Sequence, residues 1–131
     1  MTQILAIIKP IGLPYLEDIL ADLDNFGERL IEKNVKNVPE SLIRAHYACD
    51  GNLPWVEAMI QDLKNKDFYF TIYEGSQKDF LELKVQIREK YSDKIETIKD
   101  YQRNVIHISE SESEFNATVP IWEKYLKQQV K

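Results

Sequence analysis

Asn104–Glu114, NVIHISESESE, passes from an apolar, β-branched run to a polar Ser/Glu cluster without any linker between them. Asn104–Ser109 reads as a strand. Ser111 and Glu114 then stand at the S-x-x-E spacing of a capping box, in which serine and glutamate satisfy each other's free backbone donors, so a helix starts here. Phe115 and Val119 belong to that helix, with Pro120 near its end. The strand therefore hands the chain directly to a helix. His107, one of two histidines, sits at the carboxyl end of the strand, where free N–H groups of a helix start favour an anion. Taken alone, it reads first as a structural core histidine with a satisfied hydrogen bond, and only second as a residue placed for chemistry.

Working back from this junction, Tyr91–Gln102 shows no period and reads as a loop, and Phe80, Leu83 and Ile87 form the stripe of a helix that ends near Lys90. Asp67–Glu74, DFYFTIYE, is aromatic and β-branched and stops at Gly75, which predicts a strand. Two short helices start near Pro39, with Leu42, Ile43, His46 and Tyr47, and at Pro54, with Val56, Met59, Ile60 and Leu63. Arg29–Val35 is a further strand of poor alternation. Pro14 opens a helix with Leu16, Ile19, Leu20 and Leu23 on one face and Gly27 as its stop. Gln3–Ile8, QILAII, is a buried strand halted by Pro10. The order β-α-β-α-α-β-α-β-α packs most simply as one four-stranded antiparallel sheet covered by helices, a ferredoxin-like α/β (α+β) sandwich.

The 131 residues suit a single domain over 1–131 with a real core, and 44% apolar with 30% charged residues is an ordinary globular balance. A net charge of −5 argues against a broad nucleic-acid or anionic-membrane surface, but a small anionic ligand needs only a few well-placed cations. No apolar run is long enough to cross a bilayer, no secretory leader pattern is visible, and the single Cys49 has no partner for an internal disulfide. The expectation is a cytoplasmic protein without nucleic-acid or membrane partners.

The histidine stretch, Asn104-Val105-Ile106-His107-x-Ser109-Glu110-Ser111, resembles the nucleoside diphosphate kinase signature N-[IV]-I-H-G-S-D-S. Further landmarks follow in order. Ile7-Ile8-Lys9-Pro10-x-Gly12 is similar to the family's I-K-P-D-G, His46-Tyr47 to its H-Y pair, Pro54-Trp55 to its proline-phenylalanine, and Glu74-Gly75 to the end of its third strand. Trp122 falls at the family's spacing after the histidine. The resemblance implies transfer of a γ-phosphoryl group from a nucleoside triphosphate to a nucleoside diphosphate through a phosphohistidine, with magnesium carried by the nucleotide. By the same resemblance His107 is the nucleophile, Lys9 and Tyr47 act beside it, Asn104 holds the sugar, and Trp55 with Met59 takes the base. Ser109 supports the motif. Arg88 stands for the first phosphate-binding arginine and Lys99, in Thr97-Ile98-Lys99, for the second. Assembly into homo-oligomers built from dimers is implied too.

Each of these residues has a plainer reading as well: Lys9 as a solvated strand end, and Trp55, Tyr47 and Met59 as packing. The sequence also departs from the pattern. The family places a glutamate eleven residues after the histidine, where it accepts a bond from the ring; here Thr118 stands there as a supporting residue, its hydroxyl able to accept that bond but without a negative charge, and Glu114 is already occupied by the capping box. Ile108 replaces a glycine and adds bulk beside the nucleophile, and Ile11 replaces an aspartate. The alternative is a catalytically weakened nucleotide-binding or protein-interaction module that keeps the fold. A ferredoxin-like domain without a nucleotide is the third reading.

Overall fold

A computed structural model describes residues 2–48, 54–92 and 105–129, with side chains at 2–48, 56–91 and 105–128. β1 (Thr2–Ile8) lies inside the sheet, between β3 (Lys66–Gly75) and β4 (Ile106–Ile108). A strand covered on both faces needs no polar alternation, hence the unbroken apolar run from Ile4 to Ile8. β2 (Gly27–Val38) is the outer strand on the far side of β3, giving the order β2-β3-β1-β4 with every neighbour antiparallel. This is the expected ferredoxin-like sheet. β2 is mostly exposed and slips register between Arg29 and Ile31 and between Val35 and Val38, so its sequence alternates poorly although it is longer than expected.

A 3-10 segment (Pro10–Tyr15) leads into α1 (Leu16–Asp24), which with α4 (Gln77–Ser92) covers one face, over Ile4, Ala6, Ile8, Ile106 and Ile108. The other face, Leu5, Ile7, Phe68 and Phe70, is covered by α2 (Glu40–His46), α3 (Pro54–Leu63) and α5 (Glu112–Gln129). Phe80 of α4 fits where Gly27 and Gly75 lie opposite each other; a Cβ on Gly75 would come within 2.7 Å of its ring.

Two expectations need correction. Tyr91 is not the start of a loop: α4 continues through it, and its side chain is fully buried against the α1 face. The rest of the expected loop lies outside the described residues. Pro120 does not end the last helix, which runs on to Gln129. An interior proline costs a helix roughly 3 kcal/mol. Val119 and Trp122 are buried on either side of it, and side chains of that kind return about 1.5–3 kcal/mol each. Tertiary burial therefore carries the helix past its local breaker.

Candidate active site

β4 pairs with β1 so that His107 lies opposite Ile7, and the two side chains share the face covered by α2 and α5. The ladder is extended at both ends: Lys9 N–H donates to Val105 O (2.9 Å), and Ser109 N–H donates to Leu5 O (2.9 Å). Ser109 is buried, and its hydroxyl accepts the Leu5 N–H at 3.0 Å. Its support of the motif is thus structural, fastening the strand that carries the histidine. Strand parity sends Ile108 into the α1/α4 core, so its bulk is not beside the His107 ring as the sequence suggested. Ile11 packs against that same core.

The main correction concerns the carboxylate. Glu114 Oε1 stands 2.8 Å from Nε2 of His107, while Oε2 accepts the Glu110 N–H at 3.0 Å and the Glu114 N–H donates to Ser111 Oγ at 3.1 Å. Glu114 caps the helix and faces the histidine at once, one oxygen for each task. The ring contact is short but not aligned as a regular hydrogen bond, a common state for catalytic pairs before substrate closes the site. Thr118 does not accept from the ring: its hydroxyl donates to Glu114 O at 2.8 Å. Residues four apart share a helix face, so Glu114 presents from one turn earlier what the family spacing places at 118.

In the sequence His46 stands out only as a residue of a short helix and as half of a dipeptide match. In the structure it is 5% exposed, its Nδ1 accepts the Trp122 indole N–H at 3.0 Å, and its ring centre lies 4.5 Å from that of His107, edge to face. Tyr47 stands 6.3 Å from the His107 ring, and the Lys9 ammonium lies 5.4 Å above the Tyr47 ring. Lys9 is 4% exposed, not a solvated strand end. These residues and Ile7, Ile43 and Phe68 enclose a cavity of about 10 Å³, room for one water.

Burial pushes the His107 pKa below its ordinary value, Glu114 opposes this, and the charges of Lys9 and Arg88 push further down. Burial, then His107 and Lys9, holds His46 well below the usual histidine range. Both rings are therefore neutral at physiological pH. A proton on Nε2, facing Glu114, leaves the lone pair of Nδ1 available, which is the form a nucleophilic imidazole requires.

Arg88 donates from Nε and Nη2 to the Ile106 carbonyl, at 3.3 and 3.1 Å. Its charge reaches His107 and Tyr47, but its donors in this state hold backbone. Met59 is buried in the core cluster with Val56, Ile60 and Leu63, so packing already accounts for it. Lys99, Asn104 and the Trp55 side chain lie outside the described residues.

Neither protein-family models nor curated protein sequences match this chain. Solved structures do. The chain is similar to nucleoside diphosphate kinase from Borrelia burgdorferi with bound vanadate and ADP, at TM-score 0.67 and 20% identity, over 92% of this chain and 86% of that one. A nucleoside diphosphate kinase family protein from Babesia bovis gives TM-score 0.68 and 14% identity, over 93% and 88%. The enzyme from Halobacterium salinarum in complex with CDP gives 0.65 and 18%, over 93% and 85%. The fold is that of the nucleoside diphosphate kinases. On this nucleoside diphosphate kinase fold, β4 offers a neutral histidine backed by a carboxylate and flanked by two cations. Among the described residues no helix is long and apolar enough to cross a membrane, and no group of three or more His, Cys, Asp or Glu is assembled for a metal.

Proposed function

We propose that this chain, acting as one domain over residues 1–131, moves a γ-phosphoryl group from a nucleoside triphosphate to a nucleoside diphosphate by a ping-pong route through His107. The observation that carries the reading is the Glu114–His107 contact beside buried Lys9, on this fold. Nδ1 attacks the γ-phosphorus in line, the bond from phosphorus to the β–γ bridging oxygen breaks, and the diphosphate leaves. The ring then carries a positive charge, with its Nε2 proton shared toward Glu114. A second diphosphate attacks the phosphohistidine and restores the neutral ring. Lys9 places positive charge against the moving group and Tyr47 donates beside it. Asn104 holds the sugar, Lys99 supplies a further cation, and Trp55 stacks on the base with little base selectivity. With cations rather than a carboxylate cluster around His107, magnesium fits as a companion of the nucleotide phosphates, where it offsets their charge. The nucleotide complexes of the Borrelia and Halobacterium relatives support a nucleotide ligand. Homo-oligomers built from dimers and a cytoplasmic setting follow from the same reading.

One observation favours a weakened module instead. Arg88 is committed to the Ile106 carbonyl, which leaves the phosphate grip short of an arginine fork. Intact-mass measurement separates the two. Metal-stripped protein treated with magnesium–ATP should gain one phosphoryl group and lose it to ADP or GDP, and His107→Ala should gain none. An unmodified mass under conditions where nucleotide binds would establish the weakened module.

A further inference from the structure

β4 is the edge of the sheet: among the described residues it pairs with β1 alone, over three residues. Its outer side is held by side chains instead. Gln77, Lys84 and Arg88 are spaced seven and four apart on α4, which brings them onto one face of the helix. Arg88 takes the Ile106 carbonyl, Gln77 Nε2 donates to the Ser109 carbonyl at 2.7 Å, and Lys84 Nζ donates to Glu110 Oε1 at 3.0 Å. One helix thus grips the strand before His107 and the turn after it.

Lys84 makes this arrangement unusual. It is 8% exposed, whereas its partner's side chain is 67% exposed. Burying an ammonium against a solvated carboxylate is a poor source of stability, and a methionine would fill the same space. What the pair supplies is geometry. Lys84 fixes Glu110, the Glu110 N–H fixes one Glu114 oxygen, and the other Glu114 oxygen meets the histidine.

We propose that Gln77 and Lys84 are positioning residues for His107, α4 serving as a splint that sets the 109–111 turn and, through Glu110, seats Glu114 on the ring. The inference rests on His107 being the phosphorylated residue. The charged and titratable groups that bear on the ring are Glu114 from the start of α5, Lys9 from β1, Arg88 from α4, and His46 from α2 with Tyr47 just after it, whereas Lys84 acts on Glu114. Removing Lys84 frees Glu110 and loosens the Glu114 carboxylate from the ring, so the protonated ring loses the anion that favours it.

The test is a ¹⁵N NMR titration of the His107 ring in wild type, Lys84→Met, Lys84→Arg and Lys90→Met, with phosphorylation rates and nucleotide affinities for each. Lys90 makes its ion pair with Asp22 and serves as a charge control on the same helix. In Lys84→Met the titration midpoint should fall and the phosphorylation rate should drop by about tenfold at unchanged nucleotide affinity. Lys84→Arg should restore both, and Lys90→Met should leave both as in wild type. If Lys84→Met fails to fold, Glu110→Gln removes the same pair from its exposed side, and the rate should fall likewise. A wild-type midpoint and tautomer in Lys84→Met, or a wild-type rate in Glu110→Gln, would overturn the splint. A shifted midpoint in a protein that ATP never phosphorylates would uphold the splint and sink the kinase reading instead.

Discussion

His46 and His107 have ring centres 4.5 Å apart, yet their surroundings put the same side chain to different uses. His46 is enclosed by α2 and α5 and receives an indole N–H, which consumes the lone pair of Nδ1. His107 sits on an edge strand with a carboxylate against Nε2, which leaves Nδ1 its lone pair. Both are kept neutral by burial, so charge state does not separate them; the partner does. A donor turns imidazole into a structural acceptor, whereas an anionic acceptor leaves it the lone pair that the proposed nucleophile needs.

The contrast breaks most severely at Glu114. Glu114→Gln keeps the shape but removes the charge, and steady phosphorylation of His107 should fall about 10- to 100-fold. An undiminished rate would mean that something other than this carboxylate orients the ring.

Next in size is the structural histidine. His46→Phe leaves the Trp122 N–H buried without its acceptor, which should cost about 1–3 kcal/mol in urea unfolding at neutral pH. Acid sharpens the difference. Both histidines titrate below the ordinary value of 6.5 in the folded state, so below that pH the unfolded chain binds more protons. Their contribution to stability is complete above 6.5 and is lost as pH falls toward the depressed folded values. Wild type should therefore lose stability through this window, and His46→Phe should lose less. Equal slopes would show that His46 takes up no proton on unfolding.

The smallest effect belongs to Thr118. Its hydroxyl bonds back to the preceding turn, a contact that adds little to a helix, so Thr118→Val should change stability by about 0.5 kcal/mol or less. Phosphorylation should stay within about twofold, far from the Glu114→Gln loss. A large loss at Thr118 would return the ring's partner to the position the spacing first indicated.

Element order was legible because it rests on local signals: the buried run at Gln3–Ile8, the aromatic strand at Asp67–Glu74 and the serine cap at Ser111. Pro120 misled because a breaker acts locally, whereas Trp122 packs against residues far along the chain. The Ile108 concern ignored strand parity. Glu114 was passed over because the capping box already gave it a role, whereas its two carboxylate oxygens serve the helix start and the histidine separately.

The sequence by itself determined the type and order of the elements, because their starts and stops rest on local signals. It also placed a histidine where a strand meets a capped helix. Only the tertiary structure decided which carboxylate meets that histidine, which indole quiets the other one and which helix braces the edge strand. Those contacts join residues distant in sequence, 76 positions apart for Trp122 and His46 and 26 for Lys84 and Glu110. Their distances follow from how α2, α4 and α5 pack on a shared sheet, which no local pattern encodes.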